Sequence, residues 1–194
     1  MLAPAFDNPA LASQSVFRTV MEAIARPGLA RPLASRLAVP PPLTATAAAV
    51  ALTLLDYETA FWLDEGLVNA SEVAPWFRFH TGAPLTADSA RSAFAFVSDP
   101  AKMLPFDAFS FGSIEYPDRS TTLVMQVAGF DHGEALELCG PGIAGTRRFS
   151  AAPLPPDFRA RLIANRALFP RGVDLILVSP DAVAVLPRSI RVAA

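Results

Sequence analysis

The sequence is short of the side chains on which most active-site chemistry depends. Its 194 residues include one cysteine, Cys139, and two histidines, His80 and His132. One cysteine excludes an internal disulfide and suits a reducing cytoplasm. The two histidines and the cysteine lie far apart in the chain, and no pair has the spacing of a zinc site. Lysine is almost absent: of 16 basic residues, only Lys102 is not arginine. One amine, in the turn-like stretch SDPAKMLPF, leaves little for Schiff-base chemistry with a carbonyl cofactor. No G-x-S-x-G element or Ser-His-Asp set is present.

Charge is scarce as well. Charged residues make up 18% of the chain, against roughly 25% in an average soluble protein. A net charge of −2 argues against a nucleic-acid partner held through phosphates. Long apolar runs are missing: LTATAAAVALTLL, from Leu43 to Leu55, stops at Asp56. A membrane span needs about 20 residues. The first basic residue is Arg18, so the charged start of a signal peptide is missing too.

Hydrophobic residues, at 52%, are abundant. Residues 1–194 suffice for one domain with one core, and the thin surface charge points to apolar surface covered by partner subunits. Asn8-Pro9 opens a helical pattern, with Val16, Phe17, Val20 and Ile24 expected on one face and Pro27-Gly28 as the stop. Thr44 reads as the N-cap of a buried Ala-rich helix. TAFWL (59–63) and SAFAFVS (92–98) read as strands, with a helix between them over 70–79. TTLVMQVAGF (121–130) and EALELC (134–139) read as a hairpin turning at Asp131-His132-Gly133, with TRRFSA (146–151) as a third strand. A helix over 156–169 precedes GVDLILVS (172–179), whose unbroken apolar run predicts a buried strand, and AVAVLPRS (182–189) follows. The expected class is α/β, with helices packed on a mixed sheet.

Gly140-Pro-Gly142-Ile-Ala-Gly145 matches G-x-G-x-x-G, the fingerprint of a dinucleotide-binding turn. That turn must open a helix, followed by a strand ending in an acidic residue. Here TRRFS and a proline-rich stretch follow, and Pro141 removes a backbone donor. The glycines read instead as a turn between strands, with Arg147 and Arg148 beside it able to complete an anion nest. In RFHT, an extended backbone would put Arg78 and His80 on one face and Phe79 on the other. Those two side chains either bind an anion or serve the core as a structural pair.

SVFRTVMEAIARPG (15–28), LTLLDYETAFWL (52–63), RFHTGAPL (78–85), TTLVMQVAGF (121–130), LCGPGIAG (138–145), LFPRGVDLILVS (168–179) and LPRS (186–189) stand together in this order. In that order they resemble the PhnH family, the H subunits of bacterial carbon–phosphorus lyase. The resemblance implies a role in phosphonate use, at the stage where ribose triphosphate from ATP is joined to the phosphonate and adenine leaves. It implies a fold similar to the pyridoxal-phosphate-dependent transferases without the cofactor, and no established catalytic residue. It also implies a homodimer when isolated, and G, I and J subunits as partners. An assembly subunit is the expected role. The alternative is a subunit lending Arg78, His80, Arg147, Arg148 and Arg188 to a shared anion site.

Overall fold

A computed structural model of the chain describes residues 5–193. Its centre is a six-stranded sheet of β1 (Arg31–Pro32), β2 (Phe61–Leu63), β3 (Phe94–Val97), β4 (Thr122–Gln126), β9 (Asp174–Val178) and β10 (Ala182–Leu186). The spatial order is β1-β10-β9-β4-β3-β2. Strands β2, β3, β4 and β9 run parallel, and β10 and β1 add on antiparallel. The sheet is therefore mixed, as expected.

Alternation along each central strand divides the core. Phe96, Val124, Ile176 and Val185 face one side, beneath α1 (Pro9–Ala25), α2 (Ala45–Leu54), the short α3 (Glu65–Asn69) and α4 (Val73–Thr81). Val97, Met125, Leu177 and Leu186 face the other side, against α5 (Phe158–Ala167) and the loop residues Met103, Phe106 and Phe109. A second, three-stranded sheet packs on that side, in the order β11 (Arg191–Val192), β6 (Leu136–Cys139), β7 (Arg147–Phe149). A strand covered on both faces must be apolar at every position, which is why DLILV carries no alternation.

The caps follow the expected chemistry. The Asn8 side chain accepts from the Leu11 N–H, and the Thr44 side chain accepts from the Ala47 N–H. Gln126 ties α2 to the sheet: its Oε1 accepts from the Thr44 N–H at 2.6 Å, and its Nε2 donates to the Pro42 carbonyl at 3.0 Å.

Three expectations are corrected. The segments 121–130 and 134–139 do not form a hairpin. β4 pairs with β3 and β9, the two-residue β5 (Gly129–Phe130) pairs with β8 (Ala151–Ala152), and β6 pairs with β7 and β11. A strand buried on both faces gains more inside the parallel sheet than as half of a surface ribbon. Second, α1 buries Val16, Val20 and Ala23, and leaves Phe17 and Ile24 on the outside. Third, RFHT is not extended. It forms the last turn of α4, which is the helix expected over 70–79, shifted to Val73–Thr81 and preceded by the separate short α3.

Candidate functional site

The α4 helix is set by its 3.6-residue period. Val73, Trp76 and Phe77 are buried, and Phe77 stacks on Phe61 of β2 with ring centroids 4.8 Å apart. Gly82 closes the helix in the left-handed conformation, φ +71°, and its N–H donates to the Arg78 carbonyl. On a helix, Arg78 and His80 are 200° apart and cannot share the face assigned to them by alternation. Arg78 is exposed, and its side chain has neither ion pair nor hydrogen bond among the described residues. Phe79 is not the buried anchor of a strand: it is 67% exposed. His80 is half-buried, its ring 4.6 Å from that of Trp76 and edge-on to Phe79. Its Nε2 and the Trp76 Nε1 are both buried without a hydrogen-bond partner among the described residues. Burial lowers the His80 pKa below the ordinary histidine value.

The Gly140–Gly145 segment is a turn between β6 and β7, and the chain leaves it as a strand rather than a helix. The turn packs against the end of α1. Gly142 has φ +82°, and a Cβ there would lie 2.4 Å from the Ala25 carbonyl oxygen. Arg147 closes the same contact, its Nη1 donating to the Pro27 carbonyl at 2.7 Å. Arg148 lies on the outer side of β7, opposite Glu137 in register, and its exposed side chain has no ion-pair partner among the described residues.

Arg188 sits in a network of its own. Its Nε donates to both carboxylate oxygens of Asp174, its Nη1 donates to the Pro117 carbonyl, and its Nη2 reaches Ser120 Oγ and Asp174. The Arg188 N–H also donates to Asp174, at 2.8 Å. Every guanidinium nitrogen is committed to the protein, joining the loop before β4, the start of β9 and the segment after β10. The five arginine and histidine candidates thus stand apart. Arg78 and His80 lie beside the β2 edge of the sheet, and Arg147 and Arg188 lie toward the β9–β10 side.

The carboxyl ends of parallel strands are where open α/β sheets most often bind ligands. Here the mouth between β2 and β3 holds Asp64. Its carboxylate accepts from the N–H groups of Leu67, Ser98 and Asp99 and from Ser98 Oγ. The backbone donors that could greet an anion already have one, supplied by the chain. Lys102 lines the same recess, but its side chain is 85% exposed and paired with Asp99 at 3.0 Å. Asp64, Asp174 and Gln126 were not singled out in the sequence. The readable signals were Asp64 one residue before a helix, and single polar residues ending otherwise apolar strands.

No group of three or more histidine, cysteine or acidic residues among the described ones could hold a metal ion, and no described helix is long and apolar enough to cross a membrane. Residues 4–193 match the family model described as bacterial phosphonate metabolism protein (PhnH). The chain belongs to the PhnH family. One relative is the alpha-D-ribose 1-methylphosphonate 5-triphosphate synthase subunit PhnH of Rhizobium meliloti (strain 1021). It is 44% identical over 185 residues, which cover 95% of this chain and 92% of the relative. Another is HtxG of Stutzerimonas stutzeri, whose name makes it a candidate C-P lyase subunit. It is 44% identical over 78 residues, 40% of each chain. In this PhnH-family chain, the polar groups with the most partners hold loops to the sheet.

Proposed function

We propose that this chain is a subunit of an assembly that transfers ribose triphosphate from ATP to an alkylphosphonate, releasing adenine, and that its role there is structural. The observation that carries this is the 44% identity to a synthase subunit across 95% of the chain. The commitment of Arg188, Arg147 and Asp64 to the chain's own backbone and side chains supports the structural role. In this reading the chain is cytoplasmic, in keeping with a lone free cysteine. It forms a homodimer when isolated and joins the G, I and J subunits in the complex. The outer stripe of α1, with Phe17, Met21 and Ile24 exposed, supports such pairing. The parallel β2-β3-β4-β9 core with helices on both faces supports kinship with the pyridoxal-phosphate-dependent transferase fold, and an exposed, ion-paired Lys102 fits a form without the cofactor.

The test has two parts. Coexpression with the other subunits of its operon should give a complex that releases adenine from ATP when methylphosphonate is present. Deletion of the gene should abolish growth on methylphosphonate as sole phosphorus source, and a plasmid copy should restore it. Growth of the deletion strain on methylphosphonate would refute the proposal.

A second reading, in which the chain contributes anion contacts to a shared site, rests on Arg78 and Arg148. Both are exposed and unpaired among the described residues. Calorimetry of the assembled complex with ATP tests it. Loss of one charge-assisted contact in Arg78→Ala or Arg148→Ala should weaken binding about 10-fold or more, and unchanged affinity rejects the reading.

A further inference from the structure

The Arg188 network holds a loop whose tip is left to solvent. Residues 110–121, the approach to β4, fold back on themselves like a hairpin. At the base the Thr121 N–H donates to the Ser110 carbonyl at 2.8 Å, and Ser110 Oγ donates to the Arg119 carbonyl at 3.0 Å. At the far end the Ser113 N–H donates to the Tyr116 carbonyl, and the Tyr116 N–H donates to Ser113 Oγ at 3.0 Å. Ile114 and Glu115 therefore form the tip. Arg188 clamps the returning limb through the Pro117 carbonyl and Ser120 Oγ. The Gly172 N–H clamps the outgoing limb through the Phe111 carbonyl, at 3.0 Å. The hairpin stands where β4 and β9 begin, at the end of the sheet opposite the Asp64 mouth.

The tip is apolar. Ile114 is 71% exposed, the most exposed large aliphatic side chain among the described residues, and Tyr116 is 52% exposed. The Arg119 guanidinium lies 4.2 Å from the centre of the Tyr116 ring. One exposed isoleucine is ordinary on any protein surface. Here an isoleucine, a tyrosine and a stacked arginine share one short hairpin that is tied down along both limbs. Tyrosine and arginine are the side chains that most often dominate interfaces, and a segment already held in place loses little conformational freedom on binding.

The charges on the same hairpin indicate what it meets. Glu115 at the tip and Asp118 on the returning limb are exposed, and neither has an ion-pair partner among the described residues. The one cation of the hairpin, Arg119, lies over Tyr116. The surface that complements this is an apolar pocket rimmed by lysine or arginine. Three grooves of this chain do not offer one. Between α5 and residues 105–111, Arg161 is bound to Asp157, and Asp107 adds a negative charge. Beside Pro153–Pro156, Arg159 is paired with Glu134. The groove along the start of α1 has one charge of each sign, Asp7 and Arg36.

We propose that the 110–121 hairpin docks this chain onto another subunit of the phosphonate complex. Ile114 and Tyr116 enter an apolar pocket of that subunit, and Glu115 and Asp118 pair with basic side chains on its rim. The proposal rests on the reading of the chain as a complex subunit. A second copy of this chain fits less well, because the cations lining its grooves are already matched by acids.

The experiment uses the full chain, tagged and coexpressed with the other subunits of its operon. Ile114→Asp changes the tip without entering the core. This variant, and separately the double variant Glu115→Lys with Asp118→Lys, should capture about 10-fold less of one partner subunit, or lower still, while melting as the wild type does. Ile163→Asp places the same charge on the exposed side of α5 and should capture that subunit normally. A photo-crosslinking residue at position 114 should link to a peptide of that subunit containing Lys or Arg, and this readout decides the matter even where a variant melts early. If the wild-type chain captures no other subunit, the subunit reading fails and this proposal with it. The hairpin proposal alone is overturned if the wild type captures them and Ile114→Asp captures them equally, or if Ile163→Asp loses as much. Linkage of position 114 only to a second copy of this chain overturns it too.

Discussion

Arg188 and Arg78 are the same side chain in opposite situations. Arg188 lies in the segment after β10, and all of its side-chain nitrogens are taken by Asp174, Ser120 and Pro117. Arg78 stands in solvent at the end of α4 with no partner among the described residues. Around Arg188, three stretches far apart in the chain are fastened together. Around Arg78, the neighbouring polar groups, Trp76 Nε1 and His80 Nε2, are unsatisfied, and Phe79 is open to water. One region spends its polar groups on the fold. The other leaves the Arg78 guanidinium open to solvent, while the Trp76 and His80 nitrogens lie buried without a partner among the described residues. An arginine in a sequence motif is uninformative about role until its partners are known.

The sharpest way to break the contrast is Arg188→Ala. It leaves a half-buried Asp174 carboxylate and two loops without their donor, and should destabilise the protein by about 3 kcal/mol. Chemical denaturation measures this. A loss below about 1 kcal/mol would put Arg188 in the same class as Arg78.

Gly142→Val comes next. The site combines φ +82° with a carbonyl oxygen 2.4 Å from the new Cβ, so the turn must move off the end of α1. The expected cost is about 1–3 kcal/mol, the usual range for strained backbone. A wild-type melting temperature would show that the turn is not held.

Gln126→Ala removes both bonds that fix residues 42–44 to β4 and should cost about 1–3 kcal/mol. Amide exchange should then accelerate at Thr44 and the first turn of α2, and not around Arg188.

His80 gives a smaller, pH-dependent effect. Its folded-state pKa lies below its unfolded value, because burial disfavours the imidazolium. Between those two values the unfolded state binds more protons, so stability falls as pH drops below about 6.5 and is fully present above it. His80→Gln should flatten that part of the stability–pH curve, measured from pH 8 to pH 5. An unchanged curve would assign the slope to other groups. The smallest effect belongs to Arg78→Ala, which should change stability by no more than about 0.5 kcal/mol.

Much of the frame was legible along the chain. Asn8 and Thr44 were readable as caps because a short oxygen-bearing side chain before an apolar periodic run has few other uses. DLILV was readable as a doubly covered strand. The Gly140–Gly145 turn was readable because no helix could start among the residues that follow. RFHT misled because R-F-H alternates over three residues, whereas the period that governs it runs through Val73, Trp76 and Phe77. Gly82, the left-handed cap, was the overlooked signal. The false hairpin had a similar cause: a turn sequence at 131–133 reports a reversal, not which strands pair across it.

The sequence by itself determined the local elements, the mixed α/β class, the weakness of the dinucleotide match and, through seven ordered segments, the PhnH family. Those depend on neighbours in the chain and on residue type. Only the tertiary structure decided which strands pair, that Phe17 and Ile24 lie outside while Val16 and Val20 lie inside, and that Arg188 is bound to Asp174 while Arg78 is free. A polar side chain's role is set by the donors and acceptors that arrive from distant segments. Desolvation strengthens those contacts and penalises their absence, and neither can be read from chain order.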